Sequence, residues 1–247
     1  MAFGERFASQ ARYLVADLGD FGARILVLTD HPERFRRFRN AVVHPHFPEK
    51  FSYHLKRIAV REALRLESSA TFIDADGVLR NGVPKRIIRD ALTHRFSPGV
   101  HGSKIRTIAE AGDYVFPEVE QVAREKGISF DRNSITYQEM LFNITAERGN
   151  EERFLEIWDF LAGTPECGKG NGAGEGVCIG IAAHGSGMTL HGFSEMDGSR
   201  VSKVFWHCAL DYRRRTFHRL RNSMLDYLGL APPADLEKSA LYSEGKA

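Results

Sequence analysis

The chain has 247 residues, 43% hydrophobic and 27% charged, which is enough to bury one substantial core without disulfides or structural metals and excludes disorder, collagen and a disulfide scaffold. With 34 Lys plus Arg against 32 Asp plus Glu it is near neutral, so bulk charge makes no case for nucleic acid or an anionic membrane as partner. Cys167, Cys178 and Cys208 are odd in number and lack C-x-x-C spacing, which reads as reduced thiols in a cytoplasmic setting. No run approaches the roughly eighteen consecutive apolar residues of a membrane span. Met1 to Gln10 carries Glu5 and Arg6 where a signal peptide has a basic stretch and an apolar run. The expectation is a soluble single domain over residues 1–247.

In chain order, Phe7, Ala11, Leu14, Val15 and Leu18 share one helical face over Glu5 to Leu18, and Gly19 to Gly22 supplies the stop. Ala23 to Leu28 is a short apolar run that delivers the polar tip Thr29-Asp30, as a buried strand does. The grammar repeats: Tyr53 to Leu66 has helical spacing, and Ala70 to Ile73 is an apolar strand ending in Asp74-Ala75-Asp76-Gly77. Alternating helix and strand predict an α/β fold with a central, mostly parallel mixed sheet flanked by helices. Further on, Pro84 to Leu92 reads as a helix, Phe96 to Gly102 as a loop or edge strand, and Phe116 to Lys126 as an amphipathic helix. Ile135 to Thr145 reads as a strand and turn, and Glu151 to Leu161 as a helix with Phe154, Leu155, Ile157, Trp158 and Leu161 inward. The Gly-rich segment Gly163 to Gly176 reads as a mobile loop, Val177 to Ala183 as a short apolar element, and residues from Pro232 onward as a frayed tail.

The sharpest chemical feature is Phe72-Ile73-Asp74-Ala75-Asp76-Gly77, two carboxylates spaced i, i+2 just past the C-terminal end of a strand. In an open α/β sheet ligands sit at that end, and two aspartates there reach one hard cation, Mn²⁺ or Mg²⁺, carrying phosphates. A bare D-x-D also caps ordinary turns. The apolar strand before it and the glycine after it favour the functional alternative.

The resemblance extends beyond the D-x-D. Ile25 to Asp30, Phe51 to Arg57 and Phe72 to Asp76 arrive in the order of a first strand with a Thr-Asp tip, a helix opening, and an F-h-D-x-D metal strand. Residues 3 to 82 thus resemble a small GT-A-type glycosyltransferase that uses nucleotide diphosphate sugars. His94 to Val100 is similar, more loosely, to the acceptor-side segment of the family 6 enzymes related to blood-group transferases. Past residue 105 the likeness is one of position.

The resemblance implies a GT-A-like fold and a metal-dependent transfer of a sugar from a UDP- or GDP-linked donor to a glycan or other small acceptor. Asp74 and Asp76 would hold the divalent cation that bridges the donor phosphates, a Lewis acid for the leaving diphosphate. Thr29 and Asp30 would meet the base and ribose. Lys56 and Arg57 would neutralise phosphate charge or form a solvated helix face, Arg57 being better suited to a bidentate grip. His191, in Leu190-His191-Gly192-Phe193, is the third metal ligand by position, with Lys203 on the phosphates and His207 as the rival histidine. Glu175, after the Gly-rich loop, is the carboxylate placed near the reacting sugar, with Glu139 as second candidate and a weak preference for retention of configuration. Trp158 and Asp159 read as a core aromatic and a helix-surface charge.

Asp74-Ala75-Asp76-Gly77-Val78-Leu79 also matches the first motif of haloacid-dehalogenase-like phosphatases, with Asp74 as nucleophile and Asp76 as general acid/base alongside Mg²⁺. That family begins its core at the motif, whereas here a helix, a strand and a second helix precede it. A noncatalytic nucleotide or sugar binder on the same fold is the third class. The basic stretch from Leu210 to Leu228, with Arg213, Arg214, Arg215, Arg219 and Arg221, reads as a helix with its apolar stripe on the core. Docking on an anionic membrane is the rarer alternative.

Overall fold

The computed structural model describes residues 1–49, 52–79, 83–107, 117–131, 133, 135–164, 175–193 and 204–207. Helix α1 (Gly4–Gly19) buries Ala8, Ala11, Leu14, Val15 and Leu18, the stripe its periodicity sets out. Strand β1 (Ile25–Thr29) follows and pairs in parallel with β2 (Ala41–Pro45), from Ile25 opposite Ala41 to Thr29 opposite Pro45. Between them the chain makes a short 3₁₀ turn at Pro32–Arg34 and plugs the space below with fully buried Phe35. Helix α2 (Lys56–Leu66) leads to β3 (Ser69–Ile73), with Ser52 Oγ accepting the His54 N–H at 3.2 Å to start the turn that feeds α2.

The main sheet has four strands in the order β3, β6 (Ile135–Thr145), β5 (Gly99–Thr107), β7 (Leu190–Gly192). β6 runs antiparallel to both β3 and β5, and β7 lies parallel to β5. A further antiparallel ladder joins β4 (Gly77–Leu79) to β8 (Phe205–His207). The fold is therefore α/β with mixed sheets flanked by helices, and the expectation of a mostly parallel sheet is corrected. Alternation implies parallel strands only when each helix crosses back over the sheet. Helix α4 (Pro117–Glu125), between β5 and β6, lies instead against α5 (Asn150–Ala162), so β6 enters antiparallel. Of Phe96 to Gly102, expected as a loop or edge strand, Phe96 to Pro98 are loop and Gly99 to Gly102 open an interior strand, β5, bordered by β6 and β7. Its first residue, Gly99, has φ +126°, and a Cβ there would stand 2.4 Å from the Thr189 carbonyl oxygen, so only glycine fits.

Helices α3 (Lys85–Leu92), α5 and α6 (Glu175–Ser186) complete the described elements. The core gathers Phe72, Phe142 and Ile144 of the sheet against Phe154, Trp158 and Leu161 of α5 and Ile179 and Ile181 of α6. Val177 to Ala183, expected as a short apolar element, is the middle of that full helix. Its small residues allow close approach to α5: a Cβ on Gly185 would meet Ile128 Cγ2 at 2.6 Å and Ile157 Cδ1 at 3.3 Å. A cavity of about 380 Å³, lined by Val15, Val27, Val60, Ala63, Phe72 and Phe96 among others, lies between the β1 layer and β3. Among the described residues no helix is long and apolar enough to cross a membrane.

Candidate functional site

The end of β3 is fixed by its own backbone. Asp74 donates its N–H to the Met140 carbonyl at 3.0 Å, and Gly77 donates to the Asp74 carbonyl at 2.8 Å, closing a turn over Asp74-Ala75-Asp76-Gly77. Ala75 points into an apolar cluster with Val15, Val27 and Phe35, anchoring the middle of the turn. A Cβ on Gly77 would stand 2.7 Å from Ile73 Cγ2 and 2.9 Å from the Asp74 carbonyl oxygen, which accounts for the glycine.

Onto this turn comes Lys56, the first residue of α2 and only 2% exposed. Its Nζ lies 3.2 Å from Asp74 Oδ1, 3.0 Å from Glu175 Oε2 and 3.2 Å from the Glu139 carbonyl oxygen. The three ammonium protons thus have three acceptors, and the ammonium also stands 5.4 Å from the Phe72 ring centroid. Glu139 contributes twice, since its Oε1 accepts the Gly176 N–H at 3.0 Å and so holds the start of α6 where Glu175 stands. Burial pulls the Lys56 ammonium toward neutrality, but Asp74 and Glu175 outweigh it and the proton affinity of Lys56 is raised.

Glu175 is 3% exposed, and its Oε1 has no hydrogen-bond partner among the described residues. Burial pushes its carboxyl up to about 7, against the pull of Lys56, with Glu139 and Asp74 adding their repulsion. A buried carboxyl with one oxygen fixed by an ammonium and the other unsatisfied can accept a hydroxyl proton when ionised and donate one when protonated. Lys56, Asp74 and Glu175, named separately from the sequence, therefore meet in one cluster, with Glu139 beside them. Asp76 is half-buried on the same turn.

The other sequence candidates lie apart from this cluster. Thr29 is fully buried: its Oγ donates to the Ala2 carbonyl at 2.6 Å and accepts the His31 N–H at 3.0 Å. Asp30 accepts the Gly4 N–H with both oxygens, at 2.9 and 3.0 Å, at the start of α1. These two side chains fasten the segment Ala2 to Gly4 onto β1. Arg57 turns to α5, where it and Arg61 share the carboxylate of Asp159, and it donates to the His54 carbonyl at 2.8 Å. Asp159 is thus a partly exposed ion-pair partner on the helix surface, and Trp158 is fully buried core.

His191 belongs to a different group. Its ring stacks on His101 with centroids 4.3 Å apart and planes 13° from parallel, and its Nε2 donates to the Pro98 carbonyl at 3.2 Å. His101, 1% exposed, donates from Nε2 to the Ser97 carbonyl at 2.7 Å. Burial, with the neighbouring His191 and His94 adding to it, lowers the His101 imidazole to about 4, so it stays neutral. Nothing in the sequence marked His101, whose partner is 90 positions away along the chain. The rival histidine, His207, is placed by its backbone opposite Gly77 in the β4–β8 ladder, one residue past Asp76. Lys203, the Gly-rich loop residues 165–174, Cys167, Cys208 and the basic stretch from Leu210 to Leu228 lie outside the described residues.

Among the described residues, no group of three His, Cys, Asp or Glu side chains is gathered for a metal ion. The pair Asp74 and Asp76 still suits a hard divalent cation that takes its remaining ligands from phosphate and water. Asp74 is 23% exposed, its Oδ1 is paired with Lys56, and the buried Met1 amino group also acts on it. No protein-family model and no curated protein matches the chain.

Proposed function

We propose that the chain is a metal-dependent, GT-A-like transferase that moves a sugar from a UDP- or GDP-linked donor to a glycan or other small acceptor, in a cytoplasmic setting. The observation that carries this reading is the Lys56 bridge. It joins Asp74, just past the C-terminal end of β3, to Glu175, a buried carboxyl 101 positions later in the chain with one oxygen unpaired among the described residues. Asp74 and Asp76 would hold Mn²⁺ or Mg²⁺, which neutralises the leaving diphosphate. Glu175 faces the reacting sugar, where its unsatisfied oxygen takes a hydroxyl or stabilises developing positive charge, and a proton affinity near neutrality suits either role. Of the two histidines, His207 supports a third-ligand role by its register beside Gly77, whereas His191 is committed to His101 and Pro98. Thr29 and Asp30 carry less of this reading, since their side chains are engaged by Ala2 and Gly4 and the Thr29 carbonyl accepts the His46 N–H.

One observation favours a second reading. An ammonium 3.2 Å from Asp74 also suits a phosphatase in which Asp74 is the nucleophile and Asp76 the acid/base. The two separate in a thermal-shift titration with UDP and GDP, with and without Mn²⁺. Manganese-dependent stabilisation by either nucleotide, lost in Asp74→Asn and in Asp76→Asn, is the transferase outcome. No shift, together with Mg²⁺-dependent hydrolysis of a generic phosphomonoester, rejects it for the phosphatase.

A further inference from the structure

The Lys56 ammonium is 2% exposed, and all three of its protons are taken up inside the protein, by Asp74, Glu175 and the Glu139 carbonyl. As placed, it offers no donor to a phosphate. It does what a bound cation would do, compensating the buried Glu175 and, together with the nearby Met1 amino group, the partly exposed Asp74. A divalent cation at Asp74 would bring further positive charge against this ammonium, across a poorly solvated gap where repulsion is weakly screened. The two cations therefore compete for the same Asp74 carboxylate.

We propose that Lys56 is the resident counter-cation of the site: it occupies Asp74 in the ligand-free protein and must give up that contact when a divalent cation docks, so it sets the affinity for the metal. This rests on the reading of Asp74 as a cation ligand. Glu175 and the Glu139 carbonyl remain as partners for the displaced ammonium, so it stays anchored, and only its Asp74 proton becomes available to an arriving diphosphate. The chain without donor would then hold the divalent cation weakly, and the donor's own phosphates would favour the exchange by offering Lys56 a new anion. Metal and donor would bind together more tightly than either alone.

The test is Mn²⁺ binding by the full chain without nucleotide, followed through the electron paramagnetic resonance signal of free Mn²⁺. Lys56→Met removes the competitor and is expected to tighten binding about tenfold or more. Lys56→Arg keeps the charge and adds a second donor toward Asp74, and is expected to weaken binding several-fold. Asp74→Asn is expected to abolish it in either background. Unchanged or weaker binding in Lys56→Met, with the Asp74 dependence intact, overturns the counter-cation role while leaving the metal reading standing. Should Lys56→Met fail to fold, Lys56→Arg decides, and binding equal to or tighter than wild type overturns the proposal. Absence of binding by every variant, with and without UDP or GDP, overturns the metal reading and this inference together.

Discussion

Two buried polar groups sit on the main sheet, and they solve the problem of burial in opposite ways. Around Lys56 charge is kept and compensated: its ammonium faces two carboxylates, the Met1 amino group also acts on Asp74, and one Glu175 oxygen has no partner among the described residues. Around His101 charge is excluded by burial, and its imidazole and that of His191, stacked on it, each give one proton to a carbonyl of the turn before β5. Among the described residues neither ring of the histidine pair has a buried nitrogen without a partner, and the pair reads as an anchor for that turn. The lysine cluster leaves an oxygen unsatisfied among the described residues, and in a native protein that needs an explanation such as a ligand. That contrast separates the two groups more cleanly than residue type does, because both contain good catalytic residues.

Removing the charge compensation should give the largest effect. Lys56→Met leaves Asp74 and Glu175 facing each other without a cation and is expected to cost about 3 to 5 kcal/mol in urea unfolding at pH 8. The cost should shrink below pH 6, where Glu175 takes up a proton. A variant equally unstable at both pH values would show that compensation of Glu175 is not what the lysine contributes.

The next two predictions set the groups against each other through pH. Glu175 has a proton affinity raised from the ordinary carboxylate value to about 7, so the folded state binds the extra proton. The associated stability is complete below about pH 4.5 and is lost as pH rises through 7, a loss of about 3 kcal/mol. Glu175→Gln should abolish that decline. His101 is shifted the other way, to about 4, so its contribution is complete above about pH 6.5 and is lost as pH falls toward 4. Allowing for screening, the size is about 1 to 2 kcal/mol, and His101→Phe should remove it. Between pH 4.5 and 6.5 the two slopes oppose each other, and wild-type stability should be nearly flat there. Steep dependence in that window, unchanged by either substitution, would break the comparison.

The helices were legible because α1, α2 and α5 each bury one stripe, and the turn at Asp74 because an apolar strand runs into two carboxylates and a glycine. Glu175 was legible as a carboxylate between a Gly-rich segment and an apolar run. What could not be read was the meeting of these parts. Lys56 looks like a solvated helix start, since the acceptors that bury it come from positions 74, 139 and 175, and no local pattern encodes so distant a contact. Helix α6 escaped for the opposite reason: it is buried on all sides, so its residues show no amphipathic period to detect. Thr29 and Asp30 form a ligand-like polar tip in sequence, yet their side chains are consumed by Ala2 and Gly4, partners more than twenty residues away.

The smallest expected effect tests the boundary of the site. Arg57 adjoins Lys56 in sequence, yet with Arg61 it holds Asp159, whose side chain is 36% exposed. A pair at that exposure contributes on the order of 1 kcal/mol or less, because water screens the charges and two long side chains must be held still. Arg57→Ala should therefore lower stability slightly and leave Mn²⁺-dependent nucleotide stabilisation unchanged. Asp159→Ala, which frees both arginines, should match it. If instead Arg57→Ala removes nucleotide binding while Asp159→Ala strengthens it, the guanidinium swings from Asp159 to the donor phosphates. The phosphate clamp assigned to this helix would then lie one residue further on, outside the lysine cluster, with Asp159 as its resting partner.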